Sequence, residues 1–176
     1  MTANMTSTEL KRLHREWRRR TPGRLAVALD GVQGPFNVGG IVRSAAAYRA
    51  EHLWLTDTAT GLENTKTHKT ALGTDRYLTI ERLADAATIV DAAHSAGYRV
   101  IGVELTTDAR PLHELDLAGD VCLMVGHEDR GLSKAALAAC DAFGFLPQLG
   151  KVGSLNVTTA ASIAIYEWAR QQWTES

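Results

Sequence analysis

From Phe145 to Ala161 the chain reads FLPQLGKVGSLNVTTAA, and this stretch constrains the fold more than any other. An apolar pair and Pro147 lead into a loop with glycines at 150 and 153. Ser154, Leu155, Asn156 and Val157 then open a helical pattern that runs to Trp173. Glycine permits backbone angles that other residues resist, so such a loop bends sharply and lets a ligand approach the main chain. The first N–H groups of a helix lack intrahelical partners, and the side chains of Ser154 and Asn156 suit either capping them or contacting a ligand. An ordinary loop entering a Ser-capped helix has the same pattern, so the stretch alone leaves both readings open.

A second strand-to-helix turn lies near the start. RLAVALD (24–30) is an apolar run that predicts a buried strand, followed by GVQGPFNVGG and the alanine-rich helical segment IVRSAAAYRA. No Lys-Ser/Thr pair follows the glycines, which excludes a P-loop, and Gly31 and Gly34 lack the spacing of a dinucleotide fingerprint. Asp57 does follow the next expected strand, HLWLT, so a Rossmann-like reading stays open. Asn37 reads as a helix cap and Arg43 as an exposed helical residue. Six apart, they do not stack on one helical face. With Asn37 ahead of the first turn, both still border one pocket at the carboxyl end of the strand, where open α/β sheets place ligands.

The third turn is DVCLMVGHEDRGLSKAALAAC. Val121 to Val125 is an apolar strand that Gly126 ends, and Ser133 caps a short helix. Between them G-H-E-D-R-G sets charged residues at the carboxyl end of a core strand. Glu128 also fits a first-turn helix carboxylate, and His127 and Arg130 fit solvated side chains.

Between these turns strand and helix signals alternate. Residues 60–76, TGLENTKTHKTALGTDR, are polar and rich in breakers and read as a mobile loop. YLTI predicts a short strand. RLADAATIVDAAHSAG predicts an amphipathic helix ended by Gly97, with Leu83, Ala86, Ala87 and Val90 inward, and YRVIGVEL (98–105) another buried strand. At 176 residues, with no internal repeat or linker, one domain is expected. No apolar run reaches the length of a membrane span, and the start lacks a signal-peptide core. Cys122 and Cys140, in no metal-ligand spacing, read as small buried hydrophobes of a reducing compartment. The cytoplasm is the expected location.

The net charge of −1 conceals an asymmetry. Residues 1–24 hold seven Lys or Arg against two Glu, a balance of +5, which leaves −6 for the rest. In KRLHREWRRR, Leu10, Leu13 and Trp17 share one helical face, and Lys11, Arg12, Arg15, Arg18 and Arg19 cover much of the remainder. Such a helix is a solvated face, a leucine-packed helix that offers its cations to phosphates, or, given its narrow apolar stripe, less readily a membrane-surface helix. In ASIAIYEWARQQW, Ile165, Trp168 and Ala169 fall near one face while Ile163 and Tyr166 lie elsewhere. A helix apolar on more than one face buries more than one, which predicts a dimer.

Together the three turns resemble the SpoU, or TrmH-type, branch of the knotted SPOUT RNA methyltransferases. Asn37, Gly39 and Arg43 match its Asn-x-Gly-x-x-x-Arg motif. Gly126, Glu128, Gly131, Leu132 and Ser133 match its Gly-x-Glu-x-x-Gly-Leu-Ser motif. Pro147, Gly150, Ser154, Leu155, Asn156 and Val157 match its Pro-x-x-Gly-x-x-x-Ser-Leu-Asn-Val motif. The resemblance covers roughly residues 24 to 173.

It implies an α/β fold with a mainly parallel sheet, helices on both faces and a deep carboxyl-terminal trefoil knot, with residues 1–23 a basic helix before a single domain over 24–176. It implies a homodimer that binds S-adenosylmethionine largely through main-chain groups near Val103, Gly126, Leu146 and Leu155. Arg43, Asn37, Glu128, Ser154 and Asn156 match the family's catalytic and supporting positions. The implied reaction transfers a methyl group to a ribose 2′-hydroxyl of RNA. A guanidinium stays charged at any working pH, so Arg43 would act as a fixed cation beside the hydroxyl rather than as a literal base. The basic helix, THKTALGTDRYLTI and AGYRVIGVELTTDARPLHELD are most similar to the tRNA D-loop guanosine group, with Lys11, Arg12, Arg15 and Arg19 as RNA contacts. The tRNA wobble position and ribosomal RNA are the alternative targets, and neither DNA nor a membrane is an expected partner. From another class, the alternative is a dimeric RNA-binding protein without catalysis.

Overall fold

The computed structural model describes residues 4–173, so the first three and last three positions of the two expected units lie outside the described residues. Strands β1 (Leu25–Asp30), β2 (His52–Thr56), β3 (Thr79–Leu83), β4 (Arg99–Val103), β5 (Arg110–Pro111), β6 (Val121–Gly126) and β7 (Ala142–Phe145) form one sheet in the order β3-β2-β1-β6-β4-β7-β5. Its strand pairings are parallel throughout. The helices are α1 (Ser7–Arg19), α2 (Pro35–Ala47), α3 (Thr65–Ala71), α4 (Ala86–Ser95), α5 (Lys134–Ala139) and α6 (Val157–Gln172).

A parallel sheet needs crossover helices on its faces, so its central strands are apolar on both sides. β1 and β6 pair from Leu25 with Val121 to Asp30 with Gly126, and every residue of both is buried. Side chains alternate between faces with a period of two. Leu25, Val27, Leu29, Val121, Leu123 and Val125 join the core beneath α2 and α6, whereas Ala26, Ala28, Cys122 and Met124 join the one beneath α4 and α5. The chain builds β2 and β3 outward from one side of β1, while β6 and β4 lie on the other. The order therefore reverses between β1 and β6, and open sheets bind ligands at the carboxyl ends of strands around such a point.

Three local expectations change. Residues 60–76 are not a loop: Asn64 accepts hydrogen bonds from the N–H groups of Lys66 and Thr67 and starts α3, and a 3-10 turn follows over Thr74–Tyr77. What holds α3 down is Gly39 of α2, where a Cβ would collide with the Thr67 carbonyl and the Thr70 side chain. Leu83 ends β3 instead of entering the next helix, because Asp85 caps α4, which buries Ala86, Ile89, Val90 and Ala93. Of Ser154 and Asn156, both suited to the cap of α6, Asn156 takes it. Helix α1 is not packed by its leucines: none of its residues is buried, with Leu10 43% and Trp17 37% exposed. It meets the rest of the chain where the Trp17 and Trp173 rings stand 4.7 Å apart and Thr21 Oγ1 accepts from Trp173 Nε1. Among the described residues, no helix is long and apolar enough to cross a membrane, and no cluster of His, Cys, Asp or Glu fits a metal ion.

Candidate active site

The carboxyl ends of β4, β6 and β7 and the start of α6 enclose a cavity of about 510 Å³. Val103, Gly126, Leu146 and Leu155, singled out from the sequence, all line it, together with Glu128 and Ser154. Its floor is apolar because strand ends supply it. Its rim is polar because loops supply that.

The loop after β6 is tightly built. His127 and Gly131 exchange both backbone hydrogen bonds, at 3.0 and 2.9 Å, and Asp129 N–H donates to His127 Nδ1. Gly131 takes a positive φ of 66° in closing this turn, a region that favours glycine. Two carboxylates fix the exit. Asp30, buried at the end of β1, accepts from Ser133 N–H at 2.6 Å, and Glu104 accepts from Leu132 N–H at 3.0 Å. Ser133 Oγ then accepts from Ala136 N–H and caps α5 as its sequence predicts.

Glu128 is not a first-turn residue of its own helix; it caps α2 from 94 residues away. Oε1 accepts from Gly34 N–H at 2.7 Å and from Asn37 Nδ2 at 2.9 Å, and Oε2 accepts from Gln33 N–H at 3.1 Å. Glycine at the cap of α2 offers no side chain for its exposed N–H groups, so a carboxylate from the facing loop supplies the acceptor. Burial works against ionisation, but the Asn37 amide and the N–H groups of Glu128, Gln33 and Gly34 outweigh it and hold the Glu128 carboxyl below its ordinary value.

Asn37 carries the network onward. Its Oδ1 accepts from Asn156 Nδ2 at 2.9 Å and from Thr158 Oγ1 at 3.2 Å, and its own carbonyl accepts from Thr158 Oγ1 at 3.0 Å. Asn156 Oδ1 accepts from Thr158 and Thr159 N–H, capping α6. One carboxylate, which lines the cavity, and two amides, which do not, thus join the amino ends of α2 and α6.

Asn37 and Arg43 do not border the cavity as a pair. Asn37 sits inside the first turn of α2, and six residues at 1.5 Å per residue carry Arg43 about 9 Å further along the helix. There it is exposed and makes no hydrogen bond or ion pair among the described residues. Ser154 is exposed in the loop before α6. Lys11, Arg12, Arg15 and Arg19 are exposed on α1 and lie apart from the cavity lining.

Sequence reasoning missed Glu104, Asp30 and Thr158. The first two were detectable as lone carboxylates closing apolar strand runs; Thr158, an ordinary helical threonine, gave no signal.

The comparisons fit this geometry. The chain is 33% identical over 149 residues to the 23S rRNA (guanosine-2'-O-)-methyltransferase RlmB of Acinetobacter baylyi, covering 84% of this chain and 60% of that one. An AdoMet-bound rRNA methyltransferase from Sinorhizobium meliloti superposes with a TM-score of 0.78 at 29% identity, over 88% of this chain and 59% of that chain. A structure described as giving insight into 2-OH methylation of C/U34 on tRNA superposes with a TM-score of 0.76 at 28% identity, over 85% of this chain and 97% of that one. The chain spans about half the length of the curated relatives it matches. A family model described as "SpoU rRNA Methylase family" matches residues 24–166. That match runs from the first strand through the whole sheet into α6 and takes in every loop around the cavity, so this chain belongs to the SpoU rRNA methylase family.

Proposed function

We propose that the chain is an S-adenosylmethionine-dependent RNA 2′-O-ribose methyltransferase, and that it acts as a homodimer. The observation that carries this reading is the cavity at the carboxyl ends of β4, β6 and β7, with Glu128 on its wall and the Glu128–Asn37–Asn156 network running from it. Cavities of 300–1,000 Å³ suit small cofactors. The residues present fit this one: Val103, Leu146 and Leu155 offer apolar surface to an adenine, the loop main chain can meet its polar edge, and Glu104 offers negative charge to a cationic ligand.

When bound, the cofactor supplies a sulfonium methyl group, whose carbon–sulfur bond breaks as a bond to the ribose oxygen forms. The chain must manage the hydroxyl proton. Glu128 is a poor base, since both oxygens already accept hydrogen bonds and its pKa is lowered. Its role is to hold Asn37 and the start of α2. Arg43, charged and without a partner among the described residues, is assigned to the developing alkoxide, while solvent or a phosphate accepts the proton. Ser154, on the cavity wall, orients the ribose, and Asn156 keeps Asn37 in register.

For the RNA, the basic helix α1 and the segments around α3 and β4 support a D-loop guanosine of tRNA. A second reading, a 23S rRNA guanosine, has the named activity of the Acinetobacter relative in its favour, and tRNA position 34 has the solved structure that this chain nearly spans. The two-unit division at residue 23, the carboxyl-terminal knot and a cytoplasmic location belong to the same proposal. The two free cysteines support the last. A thermal shift tests the core claim. At 100 times its dissociation constant a ligand of the native state stabilises by about 2.7 kcal/mol, worth roughly 5–10 °C for a chain of this size. No shift with S-adenosylmethionine would reject the reading. Mapping 2′-O-methylated nucleotides after incubation with tRNA and rRNA chooses among the targets.

A further inference from the structure

Glu104 immediately follows β4 and belongs to none of the three motifs. Its half-buried carboxylate lines the cavity and is held by main chain on both oxygens: Leu105 N–H donates to Oε1 and Leu132 N–H to Oε2, each at 3.0 Å. It therefore ties the loop after β4 to the loop after β6, two walls of the same cavity. A Cβ on Gly131 would fall on Oε2, so the carboxylate packs directly against the glycine backbone. A carboxylate has about four lone-pair sites, and these contacts use two.

The other charges on the cavity wall are differently placed. Glu128 is committed to Gln33, Gly34 and Asn37. Asp129 and Arg130 are exposed neighbours of opposite sign, and His127 Nδ1 accepts from Asp129 N–H. Glu104 is an anion fixed in the wall that forms no ion pair among the described residues; Glu128 forms none either, but both its oxygens are taken by Gln33, Gly34 and Asn37, whereas Glu104 keeps lone-pair sites open.

We propose that Glu104 makes the cavity discriminate by charge between the methyl donor and the spent product. The inference rests on S-adenosylmethionine being the ligand. That molecule carries a sulfonium, an ammonium and a carboxylate, net +1; S-adenosylhomocysteine, with a neutral thioether, is net zero. A fixed carboxylate attracts the first and is indifferent to the sulfur of the second. Methyl transfer then removes the ligand's net positive charge, which favours exchange of product for fresh donor. A charge at such a wall has an effective dielectric between that of protein and water, so a discrimination of about three- to tenfold is expected.

Isothermal titration of the full chain with S-adenosylmethionine, S-adenosylhomocysteine and sinefungin, which has an amine cation in place of the sulfonium, reads this directly. Wild-type protein should bind both cationic ligands about three- to tenfold tighter than the product. Glu104→Gln should bring all three within about twofold, Glu104→Asp should keep the preference, and Asp129→Asn, on the same rim, should leave it unchanged. A purely structural role for Glu104 would weaken all three ligands alike and preserve the ratio in Glu104→Gln, which overturns the proposal. If Glu104→Gln does not fold, wild-type protein binding product as tightly as donor overturns it alone. Failure of wild type to bind any of the three removes the cofactor reading itself, a different result from binding without preference.

Discussion

Asn37 and Glu128 lie 91 residues apart in sequence, yet the Asn37 amide donates to the Glu128 carboxylate at 2.9 Å, and that contact joins the first and second motifs into one structure. A carboxylate at a helix amino end satisfies N–H groups that the helix leaves open and complements its dipole. The same carboxylate orients the amide, whose oxygen then receives Asn156. The residues most characteristic of the site hold one another. They are mutually dependent before any ligand arrives.

Glu128→Gln should accordingly destabilise the chain by about 1–2 kcal/mol, since an amide cannot accept all three hydrogen bonds. Its pH dependence has a fixed sign. Folding lowers the Glu128 pKa, so its contribution is complete above the unfolded value of about 4.3 and is lost as the pH falls through the folded value. The variant should show its deficit at neutral pH and approach wild type below about pH 4. Urea melts at pH 7 and near pH 3.5 check this; equal deficits at both would exclude an ionised Glu128 as the source.

Asn156 has two duties that substitution can separate. Asn156→Ala removes the cap of α6 and the donor to Asn37, and should cost about 1 kcal/mol in stability and lower methyl transfer. Asn156→Ser restores a capping oxygen but is too short to reproduce the amide contact. Stability should recover while transfer stays low. Recovery of both together would reduce Asn156 to a cap.

Much of this was legible because the chemistry is local. The apolar runs in β1 and β6 identify buried parallel strands, and Ser133 before KAALAA identifies a cap. Val103, Gly126, Leu146 and Leu155, which the family resemblance implies as cofactor contacts, line the cavity, and no periodicity marks them. The misses are tertiary. Helix α3 forms from a polar, breaker-rich stretch because Gly39 lets it approach α2, and that pairing is invisible within residues 60–76. Asn156 was legible as a cap of α6, but its amide contact to Asn37, 119 residues away, was not. The carboxylates Glu104 and Asp30 meet backbone N–H groups 28 and 103 residues away, distances over which sequence spacing carries no information.

The exposed cations of α1 should matter for RNA and not for cofactor. Replacing Arg12, Arg15 and Arg19 with alanine should weaken RNA binding and flatten its log–log salt dependence by roughly 0.7–0.9 per lost phosphate contact. S-adenosylmethionine affinity should be unchanged, because none of these residues lines the cavity. Filter binding across a salt series gives the slope; an unaltered slope makes α1 a solvated face.

Helix α6 predicts association. It buries Ile165, Trp168 and Ala169 within the chain yet leaves Ile163 43% and Tyr166 48% exposed, an apolar second face. Wild-type protein should sediment as a dimer at micromolar concentration, and Ile163→Asp should shift it toward monomer without loss of helical content. A wild-type monomer under those conditions would remove the dimer from the proposal.

Arg43 gives the sharpest separation of binding from chemistry. It is exposed on α2, makes no polar contact among the described residues and lies outside the cavity lining, so Arg43→Ala should leave stability and cofactor affinity nearly intact. Methyl transfer should still fall by roughly 100-fold or more, the scale for losing one group that stabilises developing negative charge. Lysine at this position should rescue only in part, because it restores charge without the planar fork that grips ribose and phosphate together. Single-turnover rates at saturating RNA and cofactor isolate the chemical step. A neutral side-chain base would impose its own titration on that rate, whereas a fixed cation would impose none. Near wild-type transfer by Arg43→Ala under saturation would make Arg43 an RNA-docking residue. Activation of the hydroxyl would then fall to Ser154 or His127, since Glu128 already spends both oxygens on α2.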